Sequence, residues 1–176
     1  MSAAADTFAL ASHLGALLLR RHWSVTTAES CTGGLIAGAI TDVAGSSGWF
    51  ERGFVTYSNE AKIEMLGVRE KTLAVHGAVS EATAREMVTG ALRNGRATIA
   101  VAVTGIAGPG GGTPTKRVGL VWLAWGQCDG AVTARAEQFA GDRAAIRAAA
   151  RAENPASIFV PKKITPSSPG STPYCK

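Results

Sequence analysis

The chain has 176 residues, enough for one domain with a sizeable core. Hydrophobic residues make up 46% and charged residues 18%, which excludes an intrinsically disordered protein. The net charge of +5 invites a nucleic-acid reading, but Arg151, Lys162, Lys163 and Lys176 against Glu153 put +3 of it at the C-terminus. The remaining +2 on residues 1–150 forms no basic stripe, so no nucleic-acid partner is expected.

No apolar run reaches the roughly 20 residues that span a bilayer. In the N-terminal stretch, Arg20 and Arg21 follow the apolar residues instead of preceding them, which is the wrong order for a secretory signal. Cys31, Cys128 and Cys175 are odd in number and lack CxxC spacing, which argues against a disulfide framework and against a zinc site. A cytoplasmic location without membrane attachment, cofactor or metal is the expectation.

In chain order, residues 6–21 read as an amphipathic helix, since Phe8, Ala11, Leu14 and Leu18 recur near a 3.6-residue period. Val25–Ser30 is a short strand, followed through Gly33-Gly34 by a helix to about Asp42. Val43–Gly48 is a loop. Phe50–Tyr57 is a strand, and Ser58 or Asn59 caps a helix that carries Lys62 and stops at Gly67. Ser80 caps the helix Glu81–Arg93. Ala97–Thr104 is an unbroken small apolar run, the pattern of a buried central strand. After a Gly/Pro loop, Val118–Trp125 and Val132–Phe139 form a hairpin around Gln127–Gly130. Asp142 caps a last helix, Arg143–Arg151. The alternation implies an α/β fold, a single three-layer α/β/α sandwich with a mixed sheet, over residues 1–151. Five of the seven prolines fall after that point, so 152–176 is expected to be a disordered tail.

Three segments fall where the carboxyl ends of strands would meet a ligand. In Glu29-Ser-Cys-Thr-Gly-Gly34, hydroxyls and free N–H groups at a helix start suit a phosphate or an oxyanion, although the same residues also serve as helix caps. Between Gly45 and Lys62, hydroxyls cluster before a lysine. A lysine kept neutral by burial is a base, and a helix start disfavours its charge; an exposed Lys62 would merely pair with Glu60 or Glu64. His13, His22 and His76 are scattered, so a Cys31–His pair is a poor candidate. Thr104–Thr115 holds five glycines but matches neither GxxxxGK[ST] nor GxGxxG. Arg143, at a helix start, either clamps phosphate or caps and pairs.

Together, Ala28-Glu-Ser-Cys-Thr-Gly-Gly34, Gly45-Ser-Ser47, Gly53-Phe-Val-Thr-Tyr-Ser-Asn-Glu-Ala-Lys62, Gly77-Ala-Val-Ser80, Thr104-Gly-Ile-Ala-Gly-Pro109 and Gly141-Asp-Arg143 resemble the CinA C-terminal domain family over about residues 7–150. The resemblance implies a metal-free amidohydrolase that deamidates nicotinamide mononucleotide to nicotinate mononucleotide and ammonia, in pyridine-nucleotide recycling. It also implies a serine–lysine mechanism. Carried over by motif, the catalytic residues are Ser30, Ser47, Tyr57 and Lys62. The expected roles are Ser47 as nucleophile, Lys62 as base and Tyr57 as proton relay. Ser30, Thr32 and the Gly33 N–H hold phosphate or the oxyanion, Thr104 and Gly105 line the substrate site, and Arg143 contacts phosphate. The sequence does not decide between Ser30 and Ser47. Two departures from the family pattern stand out: Arg117 where proline is more usual, and a final helix that stops early. Two rival functions remain open at this level: a non-catalytic nucleotide-binding or regulatory module, and an amidase acting on another small amide. Whether the chain forms a homo-oligomer is also open.

Overall fold

The computed structural model describes residues 3–128 and 130–153. The proposed Pro-rich tail therefore lies outside the described residues from 154 onward. The elements run α1 (Ala3–Arg21), β1 (Val25–Glu29), α2 (Leu35–Thr41), β2 (Phe50–Val55), α3 (Asn59–Leu66), α4 (Glu70–His76), α5 (Glu81–Asn94), β3 (Ile99–Gly105), β4 (Leu120–Gln127), β5 (Thr133–Gln138) and α6 (Arg143–Ala152), with a 3₁₀ turn at Ser46–Gly48 before β2.

One five-stranded sheet has the order β2-β1-β3-β4-β5. β1 is parallel to both β2 and β3, whereas β4 is antiparallel to β3 and β5 to β4, so the sheet is mixed and ends in the expected hairpin. Helices cover both faces. On one, Leu14 and Leu18 of α1, Ile36 and Ile40 of α2 and Ile146 and Ala150 of α6 pack on Val25, Ile99, Val103, Val121 and Leu123. On the other, Leu66 of α3 and Ala84, Met87, Val88 and Ala91 of α5 pack on Ala28, Ala100, Ala102 and Ala124. The sheet thus turns branched side chains to one layer and alanines to the other, as a two-residue period requires. The alanine face lets α5 come close. At Gly90 of α5, an added Cβ would lie only 1.9 Å from the Leu66 carbonyl oxygen, so only glycine fits against α3.

The chain leaves β1 through α2 on the first face to reach β2, then returns through α3–α5 on the second face to reach β3. The crossovers diverge at β1, and the crevice between the carboxyl ends of β1 and β3 is the switch point where such sheets bind ligands. α1 is rotated slightly from the expected face. Thr7, Ala11, Leu14 and Leu18 are buried, and Phe8 is exposed. α4 falls in a stretch to which the sequence pattern assigns no element. It is only two turns long, and Leu73 is its main contact with the core.

Candidate active site

Strand alternation distributes the residues at the end of β1. Glu29 faces the α2 layer and the next residue, Ser30, faces the α3 layer. The Glu29 carboxylate is buried and accepts four hydrogen bonds, from Thr32 Oγ1 (2.7 Å) and from the backbone N–H groups of Gly34, Ile36 and Ala37 (3.0, 3.0 and 2.8 Å). A negative group at the start of α2 thus satisfies donors that the helix leaves unpaired. Gly33 and Gly34 have φ values of 62° and 97°, a left-handed turn that brings those N–H groups around the carboxylate.

Ser30 is 8% exposed and Lys62 only 1%. Lys62 stands in the first turn of α3, whose start is capped by Ser58 Oγ accepting from the Ala61 N–H. Helical side chains lean toward the N-terminus, and this one does so fully. Its Nζ lies 2.9 Å from Ser30 Oγ and donates to the carbonyls of Thr56 (2.7 Å), Ser58 (3.3 Å) and Tyr57 (3.4 Å). It pairs with neither Glu60 nor Glu64. Burial pushes its pKa down to about 8, against a smaller upward pull from Cys31 and Glu60. The neighbouring Cys31 thiol is pushed up to about 11 by burial, so it is a protonated wall of the site at neutral pH.

A cavity of about 210 Å³ opens at this pair, lined by Ser30, Cys31, Tyr57, Lys62, Ala78, Val79, Thr104, Gly105, Ala107 and Arg143. Beside it, sharing Ala107 and Arg143, lies a larger one of about 480 Å³ lined also by Pro109, Val118, Asp142 and Arg147. The two together are of small-molecule size, roughly 300–1,000 Å³. Arg143, capped into α6 by Asp142, donates to Tyr57 Oη (2.7 Å) and to the Gly108 carbonyl (2.9 Å), and so bridges three segments at the mouth. Thr104 Oγ1 donates to the Ala78 carbonyl (2.8 Å), fixing the floor. Arg117 lines neither cavity.

The structure brings together Ser30, Tyr57, Lys62, Thr104, Gly105 and Arg143, and it places Ser47, the Thr32 hydroxyl, the Gly33 N–H and the Tyr57 hydroxyl in other contacts. Ser47 is exposed on the 3₁₀ turn beside Trp49, whose carbonyl accepts from the Val25 N–H at the opposite, amino end of β1. Five residues of strand, roughly 16 Å, separate that end from Ser30. Ser47 therefore does not meet Lys62 within this chain. Thr32 Oγ1 is committed to Glu29, and the Gly33 N–H donates to the Ser30 carbonyl at 3.0 Å, so neither faces a ligand. Tyr57 is 59% exposed, and its hydroxyl accepts from Arg143. The sequence reading missed the buried role of Glu29, the Ala78-Val79 floor, and Arg147, one turn after Arg143 on the same helix face. Strand parity and the i, i+4 spacing were the available signals. Among the described residues no three His, Cys, Asp or Glu side chains form a cluster able to hold a metal ion, and no helix is long and apolar enough to cross a membrane.

A serine hydroxyl thus meets a buried amine at the switch point of an α/β/α domain. The chain belongs to the CinA C-terminal domain family, which matches residues 7–155. Among individual proteins, it is 58% identical over 143 residues to the nicotinamide-nucleotide amidohydrolase PncC of Escherichia coli (strain K12), covering 81% of this chain and 87% of that one. It is 56% identical over 139 residues to the Pseudomonas putida protein of the same name, covering 78% and 86%. The crystal structure of the competence/damage inducible protein CihA from Agrobacterium tumefaciens superposes with a TM-score of 0.85 at 48% identity, covering 88% of this chain and 94% of that one.

Proposed function

We propose that this protein is a cytoplasmic nicotinamide-nucleotide amidohydrolase, hydrolysing the carboxamide of nicotinamide mononucleotide to the carboxylate and ammonia, with Ser30 as nucleophile and Lys62 as base. The observation that carries the reading is the 2.9 Å approach of Lys62 Nζ to Ser30 Oγ inside a buried site. The similarity to the E. coli and P. putida amidohydrolases supports the substrate.

In its neutral form the Lys62 amine keeps two N–H groups on the Thr56 and Ser58 carbonyls and turns its lone pair to the Ser30 hydroxyl. Ser30 Oγ attacks the amide carbon as its proton passes to Lys62. The resulting ammonium gives that proton to the departing nitrogen, which leaves as ammonia with cleavage of the C–N bond. Water then attacks the Ser30 ester, Lys62 takes its proton, and that proton returns to Ser30 Oγ as the acid is released. The oxyanion needs donors at the head of the turn. The Ser30 N–H is spent on the Val103 carbonyl and that of Gly33 on Ser30, which leaves the N–H groups of Cys31 and Thr32. Arg143, which lines both cavities, supplies positive charge for a phosphate.

The test is a coupled ammonia assay on the purified protein, comparing nicotinamide mononucleotide with free nicotinamide. The nucleotide is the much better substrate, because its remote phosphate contributes binding energy used at the reacting centre. No ammonia from the nucleotide, or equal rates on both compounds, overturns the proposal.

A further inference from the structure

The turn behind Ser30 is held from two sides. From β1, the Glu29 carboxylate gathers N–H groups of Gly34, Ile36 and Ala37. From α6, Arg147 takes carbonyls: Nε donates to Cys31 O at 3.1 Å and Nη2 to Thr32 O at 2.9 Å. One guanidinium spanning two successive carbonyls is a contact that its planar fork makes and a lysine ammonium does not. The base of that side chain is rigid, because Ile146 and Ala150 anchor α6 in the core.

In a trans peptide the C=O and the following N–H point in opposite directions. Holding the Cys31 carbonyl toward α6 therefore aims the Thr32 N–H away from α6. Holding the Thr32 carbonyl likewise directs the Gly33 N–H into the turn, where it meets the Ser30 carbonyl. The N–H groups of Cys31 and Thr32 lie beside the Cys31 sulfur, and Cys31 lines the smaller cavity. A cation on the carbonyl side also polarises each peptide and makes its N–H a stronger donor, since chains of hydrogen bonds reinforce one another.

We infer that Arg147 is a positioning residue for the hydrolysis, orienting and polarising the Cys31–Thr32 peptide so that the Thr32 N–H receives the oxyanion formed on attack by Ser30. The inference rests on the assignment of Ser30 as nucleophile. It separates the two arginines of α6: Arg143 reaches the mouth, and Arg147 reaches the backbone that follows the reacting serine.

The experiment measures ammonia release by full-length Arg147→Met, Arg147→Lys and Ser30→Ala, on nicotinamide mononucleotide and on its dephosphorylated nucleoside. Removing a whole oxyanion donor costs about 10²–10³ in kcat, and loosening one should cost about 10–100-fold. Arg147→Met is expected to lose that factor in kcat on both substrates, with KM and the pH midpoint little changed and part of the rate restored by added guanidinium. Arg147→Lys stays impaired. If Arg147→Met does not fold, Arg147→Lys decides: lower kcat at unchanged KM supports the role, and wild-type kcat overturns it. A loss confined to the phosphorylated substrate and seen as a raised KM would make Arg147 a phosphate contact and overturn the inference. Activity surviving in Ser30→Ala would instead defeat the nucleophile assignment, whatever Arg147 does.

Discussion

The two ends of β1 carry similar words in different settings. At its carboxyl end, Ser30 precedes a glycine turn, and at its amino end Ser46-Ser47 follow one. Around Ser30 everything converges: a buried lysine, a buried carboxylate beneath the turn, two arginines from α6, and two adjoining cavities. Around Ser47 the backbone closes on itself, with Ser46 N–H on Val43, Gly48 N–H on Gly45 and Trp49 N–H on Ser46, while the side chain faces water. What that end buries is Trp49, whose indole lies so close to Gly15 of α1 that an added Cβ there would sit 2.7 Å from the ring. One end opens on a cavity with a buried amine, and the other is packed. The difference comes from topology, because only the carboxyl ends of β1 and β3 border the crevice left by diverging crossovers.

The sharpest way to break this contrast is to remove the pair at the carboxyl end. Ser30→Ala and Lys62→Met should each lower kcat by about 10²–10⁴, and the double variant should be hardly worse than either single one, since the two act as a unit. Steady-state kinetics on folded protein decides it, and near-normal kcat in Ser30→Ala would sink the assignment. The pH dependence follows from the same pair. Burial holds Lys62 at about 8, so the rate should climb as pH rises through that value and the amine loses its proton. The stability sign runs alongside. Below about pH 8 both folded and unfolded chains carry the Lys62 proton, and the folded protein bears the full cost of a buried charge. Between about 8 and the ordinary lysine value of 10.5 only the unfolded chain keeps it, so this group's penalty fades as pH rises. Lys62→Met should accordingly raise the melting temperature at pH 7 while abolishing turnover.

Next in size is the amino end. Trp49→Ala should cost about 3–5 kcal/mol of stability, because a large buried side chain leaves a cavity beneath α1 that a rigid core fills poorly. Urea titration reads that loss, and kcat per folded molecule should stay near wild type. A kcat loss in fully folded protein would mean that packing at this end is coupled to the site across the sheet.

The layers were legible in the sequence because periodicity reports burial. The unbroken run Ala97–Thr104 has the pattern of a buried central strand and becomes β3, and Ser80, Asp142 and the Ser58–Asn59 pair mark three helix starts that the structure caps with the Ser80, Asp142 and Ser58 side chains. The site was half legible. Lys62 and Ser30 stand out by type and local position, yet their meeting across 32 residues depends on which strand lies beside which, and local pattern does not carry that. The sequence leaves Ser30 and Ser47 undecided for the same reason: two hydroxyls beside glycines look alike until the strand between them is given a direction. Thr32 and Gly33 were read as ligand donors because the exposed polar end of a strand–turn–helix is the usual place for them. The competing acceptor was the adjacent Glu29, which folds under the turn and takes the hydroxyl for itself.

The smallest expected effect is also the one that tests the contrast most directly. Ser47→Ala removes a hydroxyl from an exposed position on a turn held by backbone hydrogen bonds alone. A surface change of that kind is usually worth within about 0.5 kcal/mol, and Ala keeps the backbone freedom of the turn nearly unchanged. Stability should stay within that margin, and kcat and KM on nicotinamide mononucleotide should match wild type. The strand between the two ends makes the argument strong within one chain, since no side chain as short as serine bridges roughly 16 Å. A folded Ser47→Ala protein with kcat reduced a hundredfold would therefore have one structural meaning. The turn of a second copy would have to complete the site at Lys62, and mixing inactive Ser47→Ala with inactive Lys62→Met would then restore part of the activity. Wild-type turnover in Ser47→Ala leaves Ser30 as the serine that acts, with the amino end of the sheet devoted to packing.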